Sequence, residues 1–247
     1  MYNAQIILLR LFLGAAALES AATLQAQTLT SYVYDFGSAG SPLDAGTAQT
    51  PSSDFNGTSG LDFSLPLFDS NSGQTLESVT ATLTSTVNGT VVAYNLTQNP
   101  ITFQNAYTQV SLSLGVPGNS AVGFLPEATV SGTAEPFLPP AGTYTPSSFP
   151  ATATTTSNPV VFSNISAFEA PGGGTVQLNL QSDGGSVGGP TINNIAFGTN
   201  SDISIYGAID VTFASNPIAI PETSVFALIL GALALGAAVV SRRHVED

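Results

Sequence analysis

Histidine is the side chain most often used to move protons near neutrality, and the 247-residue chain has one, His244, close to its C-terminal end. A serine triad, a histidine-ligated zinc site and an imidazole base are therefore removed from everything upstream. Cysteine is absent, which removes thiolate nucleophiles, thiolate metal sites and disulfides together. Carboxylates remain, with twelve Asp or Glu between Thr28 and Pro221. A pair of them could serve a glycosidase, but such sites normally add aromatic and cationic sugar-binding groups, and the chain has no Trp and no Arg in that stretch. No catalytic residue, and no enzyme, is expected.

Asp69, Asn71 and Gly73 with Glu77 suggest a calcium loop. The helix-loop-helix type needs Gly at its sixth position and Glu at its twelfth, where Gln74 and Thr80 stand. A turn is the better reading, and no cofactor is expected beyond a weak calcium alternative built from separate loops. Gly172-Gly173-Gly174, Gly184-Gly185 and Gly188-Gly189 are followed by neither a helix pattern nor Lys, so they are expected to be hairpin turns or loops and not phosphate cradles. Tyr32, Tyr34, Tyr94, Tyr107, Tyr144 and Tyr206 could stack on sugars, although buried strand tyrosines with satisfied hydroxyls are the commoner case, and a place in the core is expected. The Thr152–Ser157 cluster and the sequons at Asn56 and Asn95 could accept glycans, but composition alone produces them.

The three basic residues are Arg10, Arg242 and Arg243, so the body between Thr28 and Pro221 is purely anionic. A surface without cations cannot neutralise phosphates, which excludes nucleic-acid partners. Its carboxylates must be solvated, hydrogen-bonded or metal-bound, and stability must come from the apolar core.

The elements that would position these residues are strands. Val79, Ala81, Leu83 and Val87 alternate with Thr80, Thr82, Thr84 and Thr86, the period of a half-buried strand. Asn88-Gly89 follows, and Thr90–Leu96 continues, which predicts a hairpin with a type I′ turn. Val110, Leu112, Leu114 and Val116 repeat the alternation, as do Val176, Leu178 and Leu180, and then Ile203, Ile205, Gly207, Ile209, Val211 and Phe213. The Pro- and Thr-rich stretch Glu135–Pro159 is expected to be a long loop or crossover joining two halves of one domain. The expected fold is all-β, an antiparallel β-sandwich of jelly-roll or Ig-like type. It would be flanked by an N-terminal signal helix and a C-terminal hydrophobic helix.

Both ends carry targeting patterns. Residues 1–26 hold two apolar runs, Ile6–Leu9 and Leu11–Leu18, separated by Arg10 and followed by small residues, which predicts a secretory signal peptide cleaved near Ala22 or Ala26. The body then spans 27–216, and 217–247 form the tail. Within the tail, 225–240 are apolar and are followed by Ser241-Arg242-Arg243. The run is short for a bilayer span, and the arginines belong on the cytoplasmic side, which places the body outside the cytoplasm. Composition alone is equally consistent with a permanent membrane anchor.

Pro221-Glu222 directly before this short helix, with the arginine pair closing it, resembles the PEP-CTERM sorting signal of bacteria that make exopolysaccharide. The family's usual third residue is Pro, and Thr223 stands here instead. The resemblance covers 221–247 and implies recognition by an exosortase that cuts at the motif and releases the helix.

A second resemblance covers most of the body. Leu67–Val79, then Val87-Asn88-Gly89-Thr90 and Asn95-Leu96, is similar to the choice-of-anchor E domain, as are Ala167-Phe168-Glu169 ahead of Gly172–Thr175 and the strand through Asp210–Phe213. That family is bacterial, extracellular and uncharacterised, and the resemblance implies surface display and no reaction. Together these readings predict an exported, non-catalytic protein of the cell surface or of an exopolysaccharide matrix, passing through an inner-membrane intermediate. Its expected partners are the Sec translocon, signal peptidase, an exosortase, transiently the inner membrane, and an exported polysaccharide. A carbohydrate-binding module is the alternative.

Overall fold

The computed structural model describes residues 27–46, 54–55, 60–136, 146–199 and 202–218. Leu29–Ser72 and Leu76–Ser215 form one compact unit. Of a second unit, 27–28, 73–75 and 216–218 are described, and there the Ile218 amide donates to the Gly73 carbonyl at 2.9 Å.

The strands in chain order are β1 (Thr28–Phe36), β2 (Leu43–Asp44), β3 (Leu61–Pro66), β4 (Phe68–Asp69), β5 (Gln74–Asn95), β6 (Ile101–Gly115) and β7 (Val122–Phe124). They continue as β8 (Glu127–Ala134), β9 (Ser147–Thr156), β10 (Val160–Val161), β11 (Glu169–Ala170), β12 (Thr175–Gly188), β13 (Ile195–Gly198) and β14 (Ser204–Pro217), with a single 3₁₀ turn at Ile165–Phe168 among the described residues.

They form a seven-stranded sheet, a five-stranded sheet and the small pair β4–β11. The first sheet runs β1-β14-β5, with β9 and β10 on the edge of β5 away from β14. β9 and β13 both pair with Val92 and Ala93, so they lie on opposite edges of β5, and β13 extends the edge that β14 occupies. The second sheet runs β3-β12-β6, and β7 and β8 share the far edge of β6. β9, β10 and β13 run antiparallel to β5, β3 and β6 antiparallel to β12, and β7 and β8 antiparallel to β6, whereas β11 runs parallel to β4.

One buried cluster takes side chains from both sheets, including Val79, Val91, Ile209 and Val211 from the first and Val110, Leu112, Leu178 and Leu180 from the second. All of these but Val91 belong to the alternating series that the sequence pattern assigns to the core. Phe103 of β6 meets Phe149 of β9 edge-on at 4.9 Å and Phe197 of β13 at 5.1 Å. At the other side, the Tyr34 hydroxyl of β1 donates to the Ser64 carbonyl of β3 at 2.8 Å.

Three sequence expectations are corrected. The hairpin at Asn88-Gly89 does not exist, because β5 passes straight through both residues, which pair with Thr152 and Ala151 of β9. Glycine is needed there for space and not for a turn: a Cβ on Gly89 would lie 2.8 Å from the Thr108 methyl of β6. The stretch after Glu135 is not all loop, since Ser147–Thr156 is strand β9, paired with β5 over ten residues. Its proline, Pro150, is tolerated because β9 is an edge strand. Gly184, Gly185 and Gly188 are neither turn nor loop; they lie inside β12, where the register shifts between Ser182 and Gly184. A Cβ on Gly185 would press on Ile203 at 2.9 Å, and one on Gly188 would collide with the Tyr107 ring.

Candidate functional site

Pro221, Glu222, Thr223, Arg242, Arg243, His244, Ala22 and Ala26 lie outside the described residues, as do the expected signal helix and the apolar run 225–240. Among the described residues, no helix is long and apolar enough to cross a membrane.

The Asp69 carboxylate has a local task. Its Oδ1 accepts from the Asn71 amide at 2.9 Å and from the Gly172 amide at 2.8 Å, while its carbonyl accepts from the Ser72 amide at 3.0 Å. This is an Asx turn that also ties β4 to the glycine turn after β11. Gly172, Gly173 and Gly174 all have positive φ, as the turn reading requires. No group of three or more His, Asp or Glu among the described residues could hold a metal ion.

Tyr32, Tyr34, Tyr94, Tyr107 and Tyr206 are all half-buried, and Tyr144 is outside the described residues. Tyr32 packs edge-on against Phe213 at 5.6 Å, and Tyr34 lies tilted against Phe63 at 5.4 Å. Burial, and then the neighbouring Tyr32, raise the Tyr34 pKa above the ordinary phenol value. Tyr107 covers Gly188, and a Cβ on Gly198 would touch the Tyr94 ring at 3.4 Å. Among these residues there is no exposed aromatic platform of the kind that stacks on sugar rings.

A different concavity lies on the face of the seven-stranded sheet turned away from the core. It is a groove of about 460 Å³ lined by Asp35 from the end of β1, Tyr206 and Gly207 from β14, Thr84 and Thr86 from β5, and Thr154 from β9. The outward phase of β5 and β9 carries threonine at successive alternate positions, which puts their hydroxyls side by side. Thr84 and Thr156 share a hydrogen bond of 3.0 Å, and Thr86 and Thr154 one of 2.7 Å. Ser85, between Thr84 and Thr86, lies in the core-facing phase of β5 with Leu83 and Val87; it is 1% exposed, and its hydroxyl has no hydrogen-bond partner. Sequence reading recognised the Thr80–Thr86 alternation and the Thr152–Ser157 cluster separately. Only the β5–β9 pairing joins them.

No family model, no curated protein and no solved structure matches the chain.

Proposed function

We propose that this chain is the precursor of an exported, non-catalytic component of the cell surface or extracellular matrix. Its body is a jelly-roll sandwich of choice-of-anchor E type, set between a signal helix and a hydrophobic helix. The observation that carries the reading is the order Pro221-Glu222, apolar 225–240, Arg242-Arg243 at the end of a chain whose body has no cation at all. Export begins at the Sec translocon and signal peptidase, the helix holds the precursor in the inner membrane, and an exosortase cuts at Pro221-Glu222.

The strand order supports the jelly-roll over the Ig-like alternative. Among the described residues, eight strands are six residues or longer, namely β1, β3, β5, β6, β8, β9, β12 and β14. Counted in chain order they lie 1-8-3-6 in one sheet and 2-7-4-5 in the other, the two interleaved Greek keys of a jelly roll. A non-catalytic role is supported by carboxylates used singly for local bonds, as at Asp69, at Asp44, whose Oδ1 accepts from the Gly46 amide, and at Asp62, which accepts from Asn179.

Replacing Pro221 and Glu222 together by alanine in the producing cells should leave the precursor in the inner membrane, with the released form at least tenfold less abundant than for the native chain. Release of the variant at the native level, read by fractionation and immunoblotting, would reject the sorting assignment.

A further inference from the structure

We infer that the groove across the seven-stranded sheet is a binding site for an uncharged polysaccharide, held by the threonine ladder and not by stacking on an aromatic platform. The inference deepens the matrix reading and rests on it for the source of the polymer.

The chemistry of the lining selects the ligand. Each threonine hydroxyl carries one donor and two lone pairs. The bonds between Thr84 and Thr156 and between Thr86 and Thr154 therefore leave each pair with one free donor and most of its lone pairs. A surface that both donates and accepts at each point matches the hydroxyls of a sugar, which do the same. Asp35 supplies an acceptor that can take sugar hydroxyls.

Charge decides the class of polymer. The body offers twelve carboxylates and neither Lys nor Arg between Thr28 and Pro221, so a polyuronate or a sulfated chain would meet repulsion with no compensating cation. A neutral glycan meets none. Shape gives the direction: the lining comes from β1, β14, β5 and β9, so the groove crosses the strands. Neighbouring strands are about 4.8 Å apart, and a sugar chain laid across them places roughly one ring over each. Tyr206 and Ala208 line the groove from the outward phase of β14.

The test is affinity electrophoresis of the full-length protein in a polyoxyethylene detergent, whose headgroup contains no sugar. The gels contain a neutral β-glucan, a dextran or a polyuronate. The native protein should be retarded by at least one of the neutral polymers and not by the polyuronate. Thr86→Val with Thr154→Val removes both hydroxyls of one pair while keeping β-branched side chains of the same shape, so the fold should be kept. That variant should bind about tenfold more weakly. Thr102→Val with Thr133→Val, which removes the corresponding hydroxyl pair of the other sheet, should bind as the native protein does. Thr154→Val alone, at an exposed edge-strand position, guards against a folding defect and should weaken binding in the same direction. Absence of retardation by both neutral polymers, preference for the polyuronate, or unchanged binding of the Thr86 and Thr154 variants would each overturn the inference. Cleavage at Pro221-Glu222 is untouched by any of these outcomes.

Discussion

Replacing Gly207 by alanine should destabilise the body by about 3 kcal/mol or more, the upper end of overpacking substitutions. Gly207 lies in the core-facing phase of β14, between Ile205 and Ile209, both fully buried. A side chain would be expected there, yet the position faces the backbone of β5. A Cβ would collide with the Thr84 carbonyl oxygen and sit 2.7 Å from Ser85 Cα and 2.9 Å from Ser85 Cβ. These are main-chain and first side-chain atoms of a central strand, so no rotamer change relieves the contact and the strands must separate. For a body of this size each kcal/mol shifts Tm by roughly 2–4 °C, so thermal unfolding should occur roughly 6–12 °C lower. Gly40→Ala is the control, because a Cβ there meets nothing within 4 Å, and it should stay within about 0.5 kcal/mol of the native protein. An unchanged Tm for Gly207→Ala would mean that β14 and β5 do not approach as described.

Phe103→Ala carries the other large effect, an expected loss of about 3–5 kcal/mol. The residue is 2% exposed, and its ring stands edge-on to Phe149 at an interplanar angle of 84° and to Phe197 at 70°. It comes from the five-stranded sheet and they come from the seven-stranded one, so its removal opens a cavity where the two inner faces meet. It also precedes the irregularity in the β6–β8 pairing, where Asn105 adopts φ 57°, and the ring fixes the strand just before that bend. Phe103→Leu should cost much less, about 1.5 kcal/mol. A double-mutant cycle with Phe149→Leu in urea unfolding should give a coupling of about 0.5–1.5 kcal/mol, as edge-on aromatic pairs do. Additive effects would place the two rings in separate environments.

The residues that sequence reading assigned correctly are those whose neighbours lie on their own strand. Alternation alone placed Val79, Ala81, Leu83 and Val87, Val110 to Val116, and Ile203 to Phe213 on the core face, and each apolar member of these series is 5% exposed or less. The misreadings arose where a distant strand determines the local residue. Asn88-Gly89 has the composition of a tight turn, but Gly89 answers to Thr108 of the opposite sheet, which lies nineteen positions further along. Gly188 answers to Tyr107, and Gly185 to Ile203. Strand β9 was hidden because Pro150 and a run of small polar residues look like a loop, whereas on a sheet edge they cost the ladder little.

The groove was invisible for the same reason. Asp35, Thr84, Thr154 and Tyr206 are brought together only by the strand order, in which the first and last long strands lie side by side. The proposed sorting signal is of the other kind, linear in the sequence as a dipeptide, an apolar run and an arginine pair, and its residues lie outside the described ones.

The measurement that tests the central claim most directly is the intact mass of the native protein recovered separately from the culture medium, from a surface wash and from membranes of the producing cells. The account predicts a surface or medium species that has lost the signal peptide and ends near Pro221. A species found only in membranes and still carrying Arg242 and Arg243 would contradict it, and would make the hydrophobic helix a permanent anchor.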